Sequence, residues 1–204
     1  MDNKQDTEQR DYEFGKEILI KNSNGRFMFD GEVESLRTID NLEETTLTGI
    51  YMAVQLQRLF VNIKLQNEPY DERIRTFTIA EVLFHNIWDY RLDTISSGSH
   101  KMIDSEGFQH TGDTHYYESS KVFLPGGKTF EASFLLPESE LEGHSKTKGW
   151  LWFDSLSENV LPHRFMFQFS VYDPGTTSGW VKESETLEFI ITDYDIKPIE
   201  EFIA

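Results

Sequence analysis

The stretch Gly149–Tyr172 constrains the fold more than any other part of the chain, because two strand-like runs in it carry aromatic residues at alternating positions. Trp150, Leu151, Trp152 and Phe153 come first. Phe165, Phe167, Phe169 and Val171 follow with period two, interleaved with Met166, Gln168, Ser170 and Tyr172. Side chains alternate across a strand, so the second run has one apolar face and one more polar face. The first run is apolar at both parities, the pattern of a strand covered on both sides. Such a pair predicts an all-β layered domain and leaves the function open.

The rest of the chain extends this reading. Strands are expected at Lys16–Lys21, with Asn22–Gly25 as a turn, and at Glu32–Ile39, whose mixed faces suit a sheet edge. Tyr51–Gln66 is the longest run. Val54, Leu56 and Phe60 share one parity and Leu59, Val61, Ile63 and Leu65 the other, which predicts a β-bulge or bend near Arg58–Leu59. Lys101–Asp104 and Phe108–Tyr117 flank an Asp104–Gly107 turn, and Thr129–Leu136 follows the Leu124–Gly127 turn. Glu185–Thr192 closes the series with Leu187, Phe189 and Ile191 on one face.

Residues 71–92 are ambiguous. Phe77, Ala80, Phe84, Ile87 and Trp88 fall near helical spacing with Asp71 placed to cap, whereas Thr76–Ile79 also suits a strand. A short helix or irregular insertion is expected there. About eight to ten short strands with turn signals and no βα alternation point to an antiparallel β-sandwich. Residues 1–12 read as a disordered tail, 13–194 as the sandwich, and 195–204 as a tail that docks on the body as a short turn or helix.

Composition excludes several classes of function. The 204 residues suffice for a sizeable core, and 16 Phe, 8 Tyr and 4 Trp supply large apolar area. A formal charge of −17 repels the phosphate backbone of nucleic acids and anionic membrane surfaces. Without cysteine there are no disulfides, thiolate ligands or cysteine nucleophiles. No run approaches the ~18 apolar residues of a membrane helix, and the N-terminus is polar throughout, so a cytoplasmic protein is expected, exported only if a leader has been trimmed away.

Few residues suggest chemistry. His110, Asp113 and His115 offer the N and O donors that zinc accepts, although their spacing requires a turn between them and a hairpin tip is the plainer reading. Glu138, Glu140, Glu142, Asp193 and Asp195 read as solvated loop carboxylates, without the facing pair of a glycosidase or the glycine of a calcium loop. Asp173–Gly179 is a turn and not a phosphate loop, since it lacks the lysine and the following helix. No nucleophile elbow occurs. Trp88, Tyr90 and Trp180 lie near predicted loops, where exposed rings bind sugars or proteins, while Trp150 and Trp152 read as core.

Three motifs in order, Val61–Asn67, Ile103–His110 and Lys148–Phe153, resemble the uncharacterised immunoglobulin-like β-sandwich domains related to bacterial immunoprotective antigens. The resemblance implies an immunoglobulin-like sandwich of the kind found on exported or lipid-anchored proteins, without assigned chemistry. This chain departs from that pattern by the absence of a leader and lipobox cysteine and by the long 70–100 segment. The function expected is that of a non-catalytic interaction module for a protein partner, needing no cofactor. The alternatives are a carbohydrate-binding module using Trp88, Tyr90 or Trp180, a metal-dependent hydrolase at His110, Asp113 and His115, and self-assembly through the Glu32–Ile39 edge. Oligomeric state is left open.

Overall fold

Among the described residues the regular elements are strands apart from a 3-10 turn at Pro125–Gly127, and the longer strands are built on alternating apolar residues. The structure, a computed structural model, describes residues 15–29, 32–39, 46–66, 73–94, 100–112, 117–172 and 181–199. In chain order the first strands are β1 (Lys16–Phe29), β2 (Glu32–Ile39), β3 (Thr46–Thr48), β4 (Met52–Gln66), β5 (Ile74–Asn86), β6 (Leu92–Asp93) and β7 (His100–Asp104). They are followed by β8 (Gln109–Thr111), β9 (Tyr117–Phe123), β10 (Thr129–Phe134), β11 (Glu140–Leu141), β12 (Lys146–Asp154), β13 (Pro162–Tyr172) and β14 (Val181–Pro198). The fold is all-β, as the alternation requires, and each ladder described is antiparallel.

β4 organises the molecule. One of its edges pairs with β5 along nearly its whole length, while the other is shared by β3, then β1, then β9. β5 in turn pairs with β12, giving a β12–β5–β4 layer. β1, β14, β13 and β7 form a second layer. Between the two lies the larger core, including Leu56, Val82, Phe84, Phe153, Phe165, Phe167, Phe169 and Phe189. Phe84 meets Phe167 and Phe169 edge-on, and Phe153 meets Phe165, so the rings interlock across the layers.

A second core covers the outer face of the β12–β5–β4 layer. Phe60, Ile63, Phe77, Ile79, Trp150 and Trp152 pack there under Val122, Ala132 and Phe134 of the β9–β10 hairpin. The middle layer is therefore buried on both sides. Trp150 and Trp152 face one core, and Leu151 and Phe153 face the other.

Bulges keep these faces in phase. The β4–β5 register slips between Leu56 and Arg58, where the apolar parity changes, so Met52, Val54, Leu56, Leu59 and Val61 all reach the larger core. A second slip between Phe60 and Ile63 sends Ile63 and Leu65 to the outer core. Asn62 lies within this slip at φ 56, a conformation asparagine tolerates, and its amide clamps the Leu156 backbone through bonds of 2.9 and 2.7 Å.

Three expectations are corrected. The segment expected as a short helix or irregular insertion around 71–92 is, from Ile74 to Asn86, strand β5. Its near-helical spacing arose because a strand buried on both faces places apolar residues at both parities. Asn22–Gly25 is no turn. β1 runs through it with register slips at Ile20/Asn22 and Asn22/Ser23, which move the buried face from Ile18 and Ile20 to Ser23, Gly25 and Phe27. Asp195–Pro198 extend β14 against Lys16–Leu19 and do not form a turn or helix, and Ile199 enters the outer core. The tail expected at 1–12 lies outside the described residues.

Candidate functional site

Met52 pairs with Asn86, so the start of β4 and the end of β5 meet at one pole of the sandwich. There the rings leave the core for the surface. Phe29 lies 6.1 Å from Tyr51, Tyr51 lies 4.9 Å from Trp88, and Trp88 lies 4.9 Å from Tyr90, as centroid distances. Phe29, Tyr51 and Trp88 are partly buried, whereas Tyr90 is 50% exposed and Ile50, next to Tyr51, is 51% exposed. Successive planes are inclined by 63° and 67°, making a knobbed surface and not a flat platform.

Buried polar groups hold this end rigid. Asn86 is fully buried at the end of β5; its Nδ2 donates to the carbonyls of Tyr90, Leu141 and Glu142 at 2.8, 2.9 and 3.1 Å. Its Oδ1 accepts the Trp88 N–H at 3.0 Å. The amide thus folds the 87–90 loop back on itself and ties it to the segment after β11. Gly143 permits that approach, since a Cβ there would stand 3.0 Å from the Trp88 carbonyl oxygen and nearer still to the Asp89 carbonyl. His144 pairs with Asp89 at 2.8 Å on the outer rim.

The turn before β4 is held from within by Glu185 of β14. Its Oε2 accepts the N–H groups of Ile50 and Tyr51 at 2.6 and 3.0 Å, and its Oε1 accepts that of Met52 at 2.9 Å. The side chain is fully buried. Burial pushes its pKa up and the three N–H groups pull it down, leaving it above the ordinary carboxylate range.

Of the residues predicted from sequence, Trp88 and Tyr90 are brought together, whereas Trp180, Asp113 and His115 lie outside the described residues. His110 is half-buried, with Nε2 2.9 Å from Asp104 Oδ2. Asp104 also accepts the N–H groups of Glu106 and Phe108, closing the β7–β8 hairpin. Burial raises its pKa, but the bonds from His110 and the two amides outweigh that and hold it low. Among the described residues no group of three or more His, Asp or Glu is placed to hold a metal. His100 is in the core among Phe84, Phe167 and Phe169.

Sequence reasoning missed Tyr51, Asn86 and Glu185. Glu185 did leave a signal, because it shares the parity of Leu187, Phe189 and Ile191, an acid on the apolar face of β14. Asn86 left none, since an asparagine after an apolar run reads as a simple strand terminator.

No protein-family model matches the sequence, and no curated protein matches it. Among solved structures it is similar to a candidate lipoprotein (ycdA) of Bacillus subtilis, at 10% identity and a TM-score of 0.34. That similarity covers 73% of this chain and 39% of the other. No helix among the described residues is long and apolar enough to cross a membrane.

Proposed function

We propose that the chain is a non-catalytic interaction module on an immunoglobulin-like β-sandwich, and that it binds a protein partner through the pole formed by Ile50, Tyr51, Trp88 and Tyr90. The observation that carries this reading is the rigidity of exposed aromatic surface: Asn86 fixes the loop bearing Trp88 and Tyr90 through four hydrogen bonds. Side chains ordered before binding lose little entropy on association, and exposed Tyr and Trp are the residues that dominate protein interfaces.

The inclination of the rings favours a protein over a polysaccharide. A sugar chain stacks on ring faces that lie open and nearly parallel, whereas Tyr51, Trp88 and Tyr90 meet edge to face. Tyr90, half exposed, is a single ring on which a sugar can stack, which keeps carbohydrate binding as the second reading.

Truncating the exposed ring tests both. With a partner identified by proximity labelling and purified, Tyr90→Ala weakens binding by about tenfold or more, as for a central aromatic anchor. Ile74→Ala, at an exposed residue on the far end of β5, leaves it unchanged. Equal affinities for the parent and Tyr90→Ala proteins would refute the assignment. Retardation in polysaccharide affinity gels that is lost in Tyr90→Ala would favour the carbohydrate reading instead.

A further inference from the structure

Glu185 reaches across the molecule to a turn 133–135 residues away in sequence and accepts three consecutive backbone N–H groups. An ionised carboxylate buried this deeply ordinarily has a cation beside it. Here, among the described residues, no ion pair reaches it. Its cross-strand neighbours are Phe29 on β1 and Phe169 on β13. Glu188, three residues along β14 and of the opposite parity, is engaged by Arg26 and Arg164. His100 stands beyond Phe169 and bonds to the Thr94 carbonyl. The turn itself presents only backbone.

Gly49 is matched to this arrangement. A Cβ at residue 49 would stand 2.6 Å from Glu185 Oε2, so the carboxylate occupies the space a side chain would need. The turn it holds carries Ile50 and Tyr51, and the Tyr51 ring and carbonyl contact Trp88 and Ile87 respectively.

We infer that Glu185 is a proton-operated latch: its carboxylate clamps the Ile50–Met52 turn, and protonation releases that turn and loosens the Tyr51–Trp88 contact at the aromatic pole. Protonation removes the charge that strengthens the three N–H bonds and turns one oxygen into a hydroxyl, a poorer acceptor. Burial favours the neutral acid, and the N–H bonds favour the ion. When the turn lifts away, the carboxyl that stays between Phe29 and Phe169 loses the three bonds that lower its pKa, so the released state holds the proton more tightly than the clamped one and acidification favours release. The regulatory role rests on the docking reading above; the latch itself does not.

Amide hydrogen exchange with residue resolution, corrected for the pH dependence of intrinsic exchange, tests the latch without any partner. On acidification the Ile50, Tyr51 and Met52 amides lose about tenfold or more of their protection while the Trp150 amide keeps its own. In Glu185→Gln the three amides are poorly protected and their protection no longer varies with pH, because a carboxamide accepts on one side only. Gly49→Ala, which crowds the carboxylate but keeps it titratable, lowers protection at the same three amides and retains the pH response. With fluorinated tryptophan, the Trp88 resonance shifts at the same midpoint. Loss of protection in parallel with Trp150, or an unchanged profile in Glu185→Gln, would overturn the latch. A latch that titrates beside a Tyr90→Ala protein of undiminished affinity would retain the latch and remove the docking reading.

Discussion

His100 is the clearest case of a single residue with a measurable consequence. Its Nε2–H donates to the Thr94 carbonyl at 2.6 Å, its ring lies among Phe84, Phe167 and Phe169, and its Nδ1 is buried without a hydrogen-bond partner. Burial lowers its pKa from 6.5 to about 4, against a smaller upward pull from the Thr94 carbonyl. Between those values the unfolded chain binds the proton and the folded chain does not, so stability rises with pH across the window. As pH falls from 6.5 to about 4 this residue alone costs about 3 kcal/mol, with no further loss below. His100→Phe keeps an aromatic ring and removes the proton, so its urea-derived stability falls less steeply across that window than the parent's. Equal slopes would refute the assignment. Glu188 makes the opposite arrangement, a fully buried carboxylate with Arg26 on one side and Arg164 Nη1 at 3.3 Å on the other.

At the level of elements, the sensitive feature is the second edge of β12. One edge pairs with β5, and the other is covered by the chain at 135–138. The Trp150 N–H donates to the Leu135 carbonyl at 2.8 Å, and the Glu138 N–H donates to Thr147 Oγ1 at 2.8 Å. The indole N–H of Trp152 reaches the Phe134 carbonyl at 3.2 Å. The cover approaches so closely that a Cβ at Gly149 would stand 2.7 Å from Pro137 Cδ and nearer still to backbone atoms. Gly149→Ala therefore lifts the covering segment, at about 3 kcal/mol or more by the scale of overpacking, and frees a strand edge for association. A lowered urea midpoint together with increased light scattering is the expected result; an unchanged midpoint would contradict it. The Asn62 bulge acts in the same way on the loop at Leu156.

At the level of the whole molecule, the β12–β5–β4 layer belongs to both cores, so neither core can be lost while the other stays intact. Phe60, Ile79 and Trp152 line one side of it, and Leu59, Ala80 and Phe153 line the other. Denaturation should follow one cooperative transition. Tryptophan fluorescence, to which Trp150 and Trp152 of the outer core contribute, and far-UV circular dichroism of the whole sheet then give coincident curves. A separate early transition in fluorescence would show that the β9–β10 hairpin and its core melt alone. Trp152→Ala removes a fully buried indole from the outer core and costs about 3–5 kcal/mol in that single transition.

The sequence alone determined the all-β class, several strands and one irregularity in phase. The Phe165–Phe169 alternation, the Trp150–Phe153 run and the parity change at Arg58 are properties of neighbouring residues, and the period of a strand makes them readable. Trp88 and Tyr90 were legible as rings near loops, of which Tyr90 is half exposed and Trp88 packs partly buried against the core. Tertiary structure decided what no local period records. β5 looked near-helical because both of its faces are buried, and only the third layer explains that burial. Tyr51 joined Trp88 because Met52 pairs with Asn86 across two strands. The internal anchors of the aromatic pole were hidden for the same reason: Glu185 was a lone acid on an apolar face until the β3–β4 turn, with its three N–H groups and its side-chain-free Gly49, came to rest against it. The Gly149–Tyr172 runs are strands by their own periodicity, and which cores their rings fill was decided by the layers that close over them.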